Sequence, residues 1–199
     1  MRINRIIPRT RAEGPGMRFT LWTQGCRTAC EGCYSKALWP EDGGDAFSVA
    51  ALSERIAETP GIEGITLLGG EPLLQAGELA ELAAFARSRS LSVVTFTGFL
   101  YEDILSRALP EELALLAHTD LLIDGPYRRE LRDLSRPWVG SRNQRYLFLT
   151  ERYRMEDVLR CENRVELRMD GQGAVRINGM GDFEALERLL CDNEMIKGA

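Results

Sequence analysis

Three of the chain's five cysteines, Cys26, Cys30 and Cys33, sit together in the stretch QGCRTACEGCYSKALW, at the spacing C-x3-C-x2-C. Thiolate is a soft ligand suited to zinc or to iron–sulfur clusters. Structural zinc is normally closed by four protein ligands, and this loop supplies three. His118, Cys161 and Cys191 lie far away in sequence, and none has a partner at zinc-finger spacing. A [4Fe–4S] cubane gripped by three cysteines keeps one iron open to an exogenous ligand. A missing fourth thiolate is therefore useful where a substrate or cofactor must bind the metal. A structural zinc loop and incidental cysteines are the plainer alternatives that spacing leaves open.

A second stretch, GITLLGGEPLL, is an apolar run that stops in Gly69-Gly70 before Glu71-Pro72. Glycines there expose bare backbone, whose carbonyls can accept hydrogen bonds from a ligand ammonium, and Glu71 adds negative charge. An ordinary strand-to-helix turn is the simpler alternative. Two further turns, Thr97-Gly98 and Asp124-Gly125-Pro126, also follow apolar runs.

The elements that must position these turns alternate along the chain. Strands are expected at 18–24, 64–68, 92–96, 120–123 and 146–149. Helices are expected at 48–59, closed by Pro60-Gly61, at 76–90, and at 101–117 with a break near Pro110. This order predicts an α/β fold, a partial (β/α) barrel of parallel strands. In such folds the loops after strand C-termini share one ligand-binding face, so the four turns converge. Residues 165–179, VELRMDGQGAVRING, alternate around Asp170-Gly171 as a β-hairpin does, and a last helix is expected over 182–191. The chain thus divides into a core, 1–159, and a hairpin–helix appendage, 160–199. His118 is expected as a helix-end or surface residue, and the RRELRDLSR run as a solvated helix or loop, or a docking surface.

Bulk properties narrow the function classes. The chain has 199 residues, 44% apolar and 28% charged, with a formal charge of −5. That balance gives no electrostatic case for nucleic-acid binding. No apolar run approaches a membrane span, and the basic N-terminus lacks a signal peptide's apolar stretch. A cytosolic, reducing location is expected, where clustered cysteines serve metals or redox chemistry rather than disulfides.

The combination of C-x3-C-x2-C, the aromatic Tyr34 and a GGEP one βα unit later resembles the radical S-adenosylmethionine (SAM) superfamily. Gly14-Pro15-Gly16-Met17-Arg18-Phe19, running through Trp22 to Gln24-Gly25-Cys26, is similar to the glycyl-radical activating enzymes. LLIDGPYRRELRDLSRPWVGSRNQR resembles the activating proteins of anaerobic (class III) ribonucleotide reductase, in which the DGP turn and the GSxNQR stretch recur together. The resemblance covers about residues 1–150.

What it implies is specific. Cys26, Cys30 and Cys33 would hold the [4Fe–4S] cluster, whose open iron would take the amino and carboxylate groups of SAM. Tyr34 would lie near the adenine, and Gly69, Gly70 and Glu71 would receive the ammonium. Thr97 and Asp124 would contact the ribose or methionine part. Asn143 and Arg145 would bind the SAM carboxylate or orient a partner's backbone, although a surface ion pair is an equal account of Arg145. The implied reaction is reductive cleavage of SAM to a 5′-deoxyadenosyl radical that takes a hydrogen atom from a glycine of a glycyl-radical enzyme. Flavodoxin or ferredoxin would supply the electron. A radical SAM enzyme modifying a peptide or small-molecule natural product is the alternative, and a non-enzymatic zinc or iron–sulfur module a third. Arg27, Thr28, Ala29 and Glu31 stand where those activators more usually carry asparagine and proline.

Overall fold

The computed structural model describes residues 1–173, 175–182 and 188. Nine strands are assigned: β1 Arg2–Thr10, β2 Arg18–Thr23, β3 Asp45–Ala46, β4 Gly64–Gly69, β5 Ser92–Phe96, β6 Leu121–Asp124, β7 Arg145–Phe148, β8 Val165–Met169 and β9 Val175–Gly179. The helices are α1 Val49–Glu58, α2 Ala76–Ser88, α3 Tyr101–Arg107, α4 Pro110–Ala117 and α5 Met155–Leu159. The helix expected over 182–191, and Cys191 with it, lies outside the described residues apart from Asp182 and Arg188.

Seven strands form one sheet in the order β3-β1-β2-β4-β5-β6-β7. The central pairs β2/β4, β4/β5 and β5/β6 are parallel, as expected. β1 pairs antiparallel with β2, and β7 antiparallel with β6. The sheet is therefore mixed, parallel at its centre, and the expected partial barrel of parallel strands is corrected at its two flanks, which are antiparallel. A parallel strand must be fed by a crossover, whereas β7 returns beside β6 through a loop.

Side-chain alternation assigns the two faces. Phe19 and Leu21 of β2, Ile65 and Leu67 of β4, and Val93 of β5 point to one face, aligned by the register Phe19↔Ile65↔Val93. Helices α1 to α4 cover that face with Leu52 and Ile56, Leu79, Leu82 and Ala83, Ile104, and Leu115. Ser48 caps α1 by accepting from the Ala51 amide. Pro110 begins α4 at its first turn, where a missing N–H costs no helical bond. Among the described residues the opposite face carries no long helix. Val94, Leu121 and Ile123 there pack under Trp138, Val139 and Tyr146, and beside them lie Thr20, Thr66 and Arg18.

Arg18 is fully buried. Its guanidinium donates to Thr66 Oγ1 (2.6 Å), to the Pro15 carbonyl and Ser92 Oγ (3.0 Å each), to the Ser92 carbonyl (3.1 Å) and to the Ile65 carbonyl. Burial pulls its pKa down, and among the described residues no carboxylate pairs with it. The fork ties β2, β4 and β5 at the end opposite the glycine turns. The hairpin β8–β9 docks on β1: Arg5 donates to the Ile177 carbonyl, Thr10 to Glu166, and Asn178 to Thr10.

Replacing Arg18 with Met removes a guanidinium that several buried carbonyls and hydroxyls depend on. We expect a loss of ~3 kcal/mol or more in unfolding free energy, read by urea titration.

Candidate functional site

The cysteine loop is a closed excursion with a fixed neck. The Gly25 and Cys26 amides donate to the Leu38 and Trp39 carbonyls (2.9 and 3.1 Å), so the chain leaves and returns at one place. Gln24 is buried and donates from Nε2 to the Pro40 carbonyl, which holds the returning strand. Within the loop the Cys33 amide donates to the Cys30 carbonyl, and Ala29 and Gly32 take positive φ. The three thiols are free and partly exposed.

The GGEP turn lies directly against that neck. The Glu71 amide donates to the Gly25 carbonyl at 2.8 Å, and the Gly70 amide to the Thr23 carbonyl at 2.9 Å. A Cβ on Gly70 would stand 2.2 Å from the Gly25 oxygen. Gly69 has φ +114°, and a Cβ there would meet the Thr23 nitrogen at 2.6 Å. The two glycines are thus required by backbone contact, Gly69 with β2 and Gly70 with the neck of the cysteine loop, whatever they offer a ligand.

Glu71 turns inward. It is buried, and its carboxylate accepts from the Leu73 amide (3.0 Å), Thr97 Oγ1 (2.9 Å) and the Gly98 amide (2.8 Å). Thr97 is occupied in this bond and in accepting from the Phe99 amide. Burial pushes the Glu71 carboxyl up to about 7, against those hydrogen bonds, which lower it. The pair therefore fastens the turn after β4 to the turn after β5.

Asp124 and Arg145 form a fork at facing positions of β6 and β7. Arg145 donates to both Asp124 oxygens (2.9 and 2.5 Å) and to both Glu102 oxygens (3.1 and 2.8 Å), which raises its pKa further. Asp124 also accepts from the Tyr101 amide. Arg145 is thus ion-paired with both Asp124 and Glu102.

One open cavity of about 180 Å³ gathers Cys26, Cys30 and Cys33 with Gly69, Gly70, Glu71 and Thr97. Asp124, Asn143 and Arg145 do not line it, and neither does Tyr34, whose side chain is 78% exposed. Thr28, Phe96, Tyr127 and Gln144 also line the cavity, and nothing in the sequence marks them as ligand-binding. The motif DGPY and the GSRNQR stretch contain two of them, so the segments were visible although the inward positions were not. Burial raises the Cys30 thiol pKa, against a backbone hydrogen bond from Tyr127 that lowers it.

The donor set suits an iron–sulfur cluster. Among the described residues, no three His, Cys, Asp or Glu groups converge closely enough to hold a single ion. A cubane asks less convergence, since each thiolate binds a different iron. Two residues of the cavity wall also hold buried polar atoms with no partner among the described residues, Trp39 Nε1 and Thr28 Oγ1. An indole N–H can only donate, and thiolates, cluster sulfides and carboxylates are acceptors.

Comparison with known proteins agrees with this assignment. The 4Fe-4S single cluster domain family matches residues 12–147, more than half of the chain. The chain is 33% identical over 151 residues to the anaerobic ribonucleoside-triphosphate reductase-activating protein of Enterobacteria phage T4, covering 73% of this chain and 92% of that protein. The protein of the same name from Escherichia coli K12 is 30% identical over 152 residues (72% and 96%), and that from Vibrio cholerae 29% over 152 residues (72% and 96%).

Two substitutions and a titration check the geometry. Gly70→Ala is expected to cost ~3 kcal/mol or more and to reduce iron loading, because backbone cannot retreat from the Cβ. Gly77→Ala, whose Cβ meets only Glu111 at 3.8 Å, should stabilise α2 by ~0.5–1 kcal/mol. A carboxyl raised on folding binds its proton better in the folded chain. Its contribution is full below the ordinary value of 4.5 and is lost as pH rises through about 7. The metal-free wild type should lose ~3 kcal/mol relative to Glu71→Gln across that window, read by urea unfolding at each pH.

Proposed function

The chain belongs to the 4Fe-4S single cluster domain family and to the anaerobic ribonucleoside-triphosphate reductase-activating proteins, and from that premise we propose that it generates a glycyl radical on such a reductase by radical SAM chemistry. The observation that carries the reading is the single cavity lined by all three loop cysteines and by both glycines of GGEP.

When bound, the cluster supplies one electron and SAM supplies the 5′-deoxyadenosyl group that abstracts the hydrogen atom. Cys26, Cys30 and Cys33 would be the cluster's ligands. Gly69 and Gly70 would offer backbone to the methionine end of SAM, with Glu71 behind them. Trp39 Nε1 and Thr28 Oγ1 supply hydrogen-bonding groups that no described residue satisfies. Thr97 acts by bracing Glu71. Asp124 and Arg145 act by holding the turn after β6 against β7. The half-open cavity admits a small cofactor, and the exposed cysteine loop leaves the cluster within reach of an electron donor such as flavodoxin or ferredoxin.

The same reading sets the chain in the reducing cytosol, where free thiols persist; among the described residues no helix is long and apolar enough to cross a membrane. It treats residues 1–159 as the catalytic core and 160–199 as an appendage whose described hairpin packs on β1.

Anaerobic reconstitution with iron and sulfide should give a brown protein that releases 5′-deoxyadenosine from SAM with a strong reductant. Serine at Cys26, Cys30 or Cys33 should abolish that release. Full turnover by any of the three variants, or a colourless protein holding one zinc, would refute the assignment.

A further inference from the structure

The wall of the cysteine cavity that carries Tyr127 and Gln144 is built from residues 125–144, an irregular run apart from a short 3-10 turn at Arg129–Leu131. Such a run must find partners for its own backbone groups. Residues 137–141 are buried in succession, and among them Trp138 has φ +59°. A bulky residue in the left-handed region is strained, and the strain persists only where the surroundings over-determine it.

Much of that determination comes from one side chain. Asn163 Nδ2 donates to the Leu134 carbonyl at 2.8 Å and to the Arg136 carbonyl at 3.0 Å, while Asn163 Oδ1 accepts from the Trp138 amide at 2.9 Å. A side-chain amide has two donor hydrogens and one acceptor oxygen, and here all of them meet the main chain of a single loop. Tyr146 adds one bond, its hydroxyl donating to the Pro137 carbonyl at 2.5 Å. Asn163 lies between α5 and β8, remote from this loop in sequence and beyond the family-matched residues 12–147.

From this loop the contacts lead to the cavity in two steps. Gly140 lies against the Tyr127 ring, whose carbons would stand 3.2 Å from a Cβ there. The Gly140 and Ser141 amides donate to Gln144 Oε1 at 2.8 and 3.2 Å, and Ser141 Oγ accepts from the Arg128 amide at 3.2 Å. Residues 138–141 therefore hold Tyr127 and Gln144, both of which line the cavity with the three cysteines. The same wall touches the cysteine loop directly, since a Cβ on Gly32 would stand 3.2 Å from the Arg129 side chain.

We propose that Asn163 is a positioning residue for the cysteine cavity: by fixing residues 134–138 in their strained course, it sets where Tyr127 and Gln144 stand, and through them how tightly SAM is held. Asn163 does not line the cavity and acts only through the loop. The inference rests on the proposed function for its consequence in SAM binding. It goes beyond that function by making a residue of the C-terminal region part of the site's construction.

The test uses the full chain, with and without its cluster reconstituted, in the absence of air. Asn163→Asp keeps the size and the acceptor but sets a second oxygen against the Leu134 and Arg136 carbonyls. Hydrogen exchange read by mass spectrometry should quicken about tenfold over residues 125–144 and stay as in the wild type over residues 64–75. In 5′-deoxyadenosine release the KM for SAM should rise about tenfold, with kcat and iron content little changed. Asn163→Ser, which keeps an acceptor for the Trp138 amide, should move both readouts in the same direction and serves if the Asp variant does not fold. Ile56→Val, in the core under α1, destabilises the chain without touching the loop and should leave the KM unchanged. Wild-type exchange over 125–144 in the Asn163 variants, equal quickening over 64–75, an unchanged KM, or an equal rise in Ile56→Val would overturn the proposal. If the wild type releases no 5′-deoxyadenosine, the proposed function fails instead, and exchange in the cluster-free chain still decides whether Asn163 holds the wall.

Discussion

The site depends on a single close approach between two main chains. β2 and β4 run parallel in register from Arg18↔Gly64 to Thr23↔Gly69. The pairing then continues past the strand ends, where the Glu71 amide reaches the Gly25 carbonyl. That bond joins the last residue before the cysteine loop to the glycine turn after β4, and it leaves no volume at Gly70 for a side chain. Everything the cavity offers follows from it. The cysteine loop can be irregular, with positive φ at Ala29 and Gly32, because its neck is fixed by the register of a sheet. Register in a sheet buried on one face is strongly specified, so the precision of the thiols is inherited from Phe19, Leu21, Ile65 and Leu67, residues far from any chemistry.

The charged residues near the cavity act on the protein before they act on a ligand. Glu71 fastens two turns through Leu73, Thr97 and Gly98, and Asp124 with Arg145 fastens two strands. A buried carboxylate with three donors, or an arginine with two carboxylates, is stiff. Such bracing keeps the glycine turns from relaxing when a cofactor leaves. The groups left for recognition at the cysteine cavity are then backbone atoms and two buried polar atoms with no partner among the described residues, Trp39 Nε1 and Thr28 Oγ1.

Much of this was legible in the sequence, for physical reasons that also explain what was not. Strands β2, β4, β5 and β6 are buried on both faces, so they read as short apolar runs. Helices α1 and α2 carry their apolar residues at helical spacing, and Pro110 does separate α3 from α4. β1 did not announce itself. Register shifts between Ile3 and Arg5 and between Ile7 and Thr10 break its alternation, and Pro8, Arg2, Asn4 and Arg9 dilute its apolar content. With β1 unseen, and β7 given no direction, the sheet read as wholly parallel and its antiparallel flanks were lost. At the site, the motifs named the right turns but not the inward side chains. Tyr34 follows Cys33 directly and yet is exposed, whereas Tyr127 and Gln144, from segments remote in sequence, line the cavity with the thiols. Motif spacing fixes which loop approaches a ligand; the side of that loop is decided by tertiary packing.

The placement of helices then accounts for the site's openness. All four longer helices, α1 to α4, cover one face of the sheet. The other face is closed by Trp138, Val139, Tyr146 and the docked hairpin. Those covers leave the cysteine end to loops alone. A doubly wound sheet would carry helices on both faces, and their N-termini would crowd the strand ends. Here residues 125–128 and 143–145 separate two cavities, and the first turn of α3 stands on the outer side: Asp103 lines the second cavity, the Tyr101 amide donates to Asp124, and Glu102 accepts from Arg145.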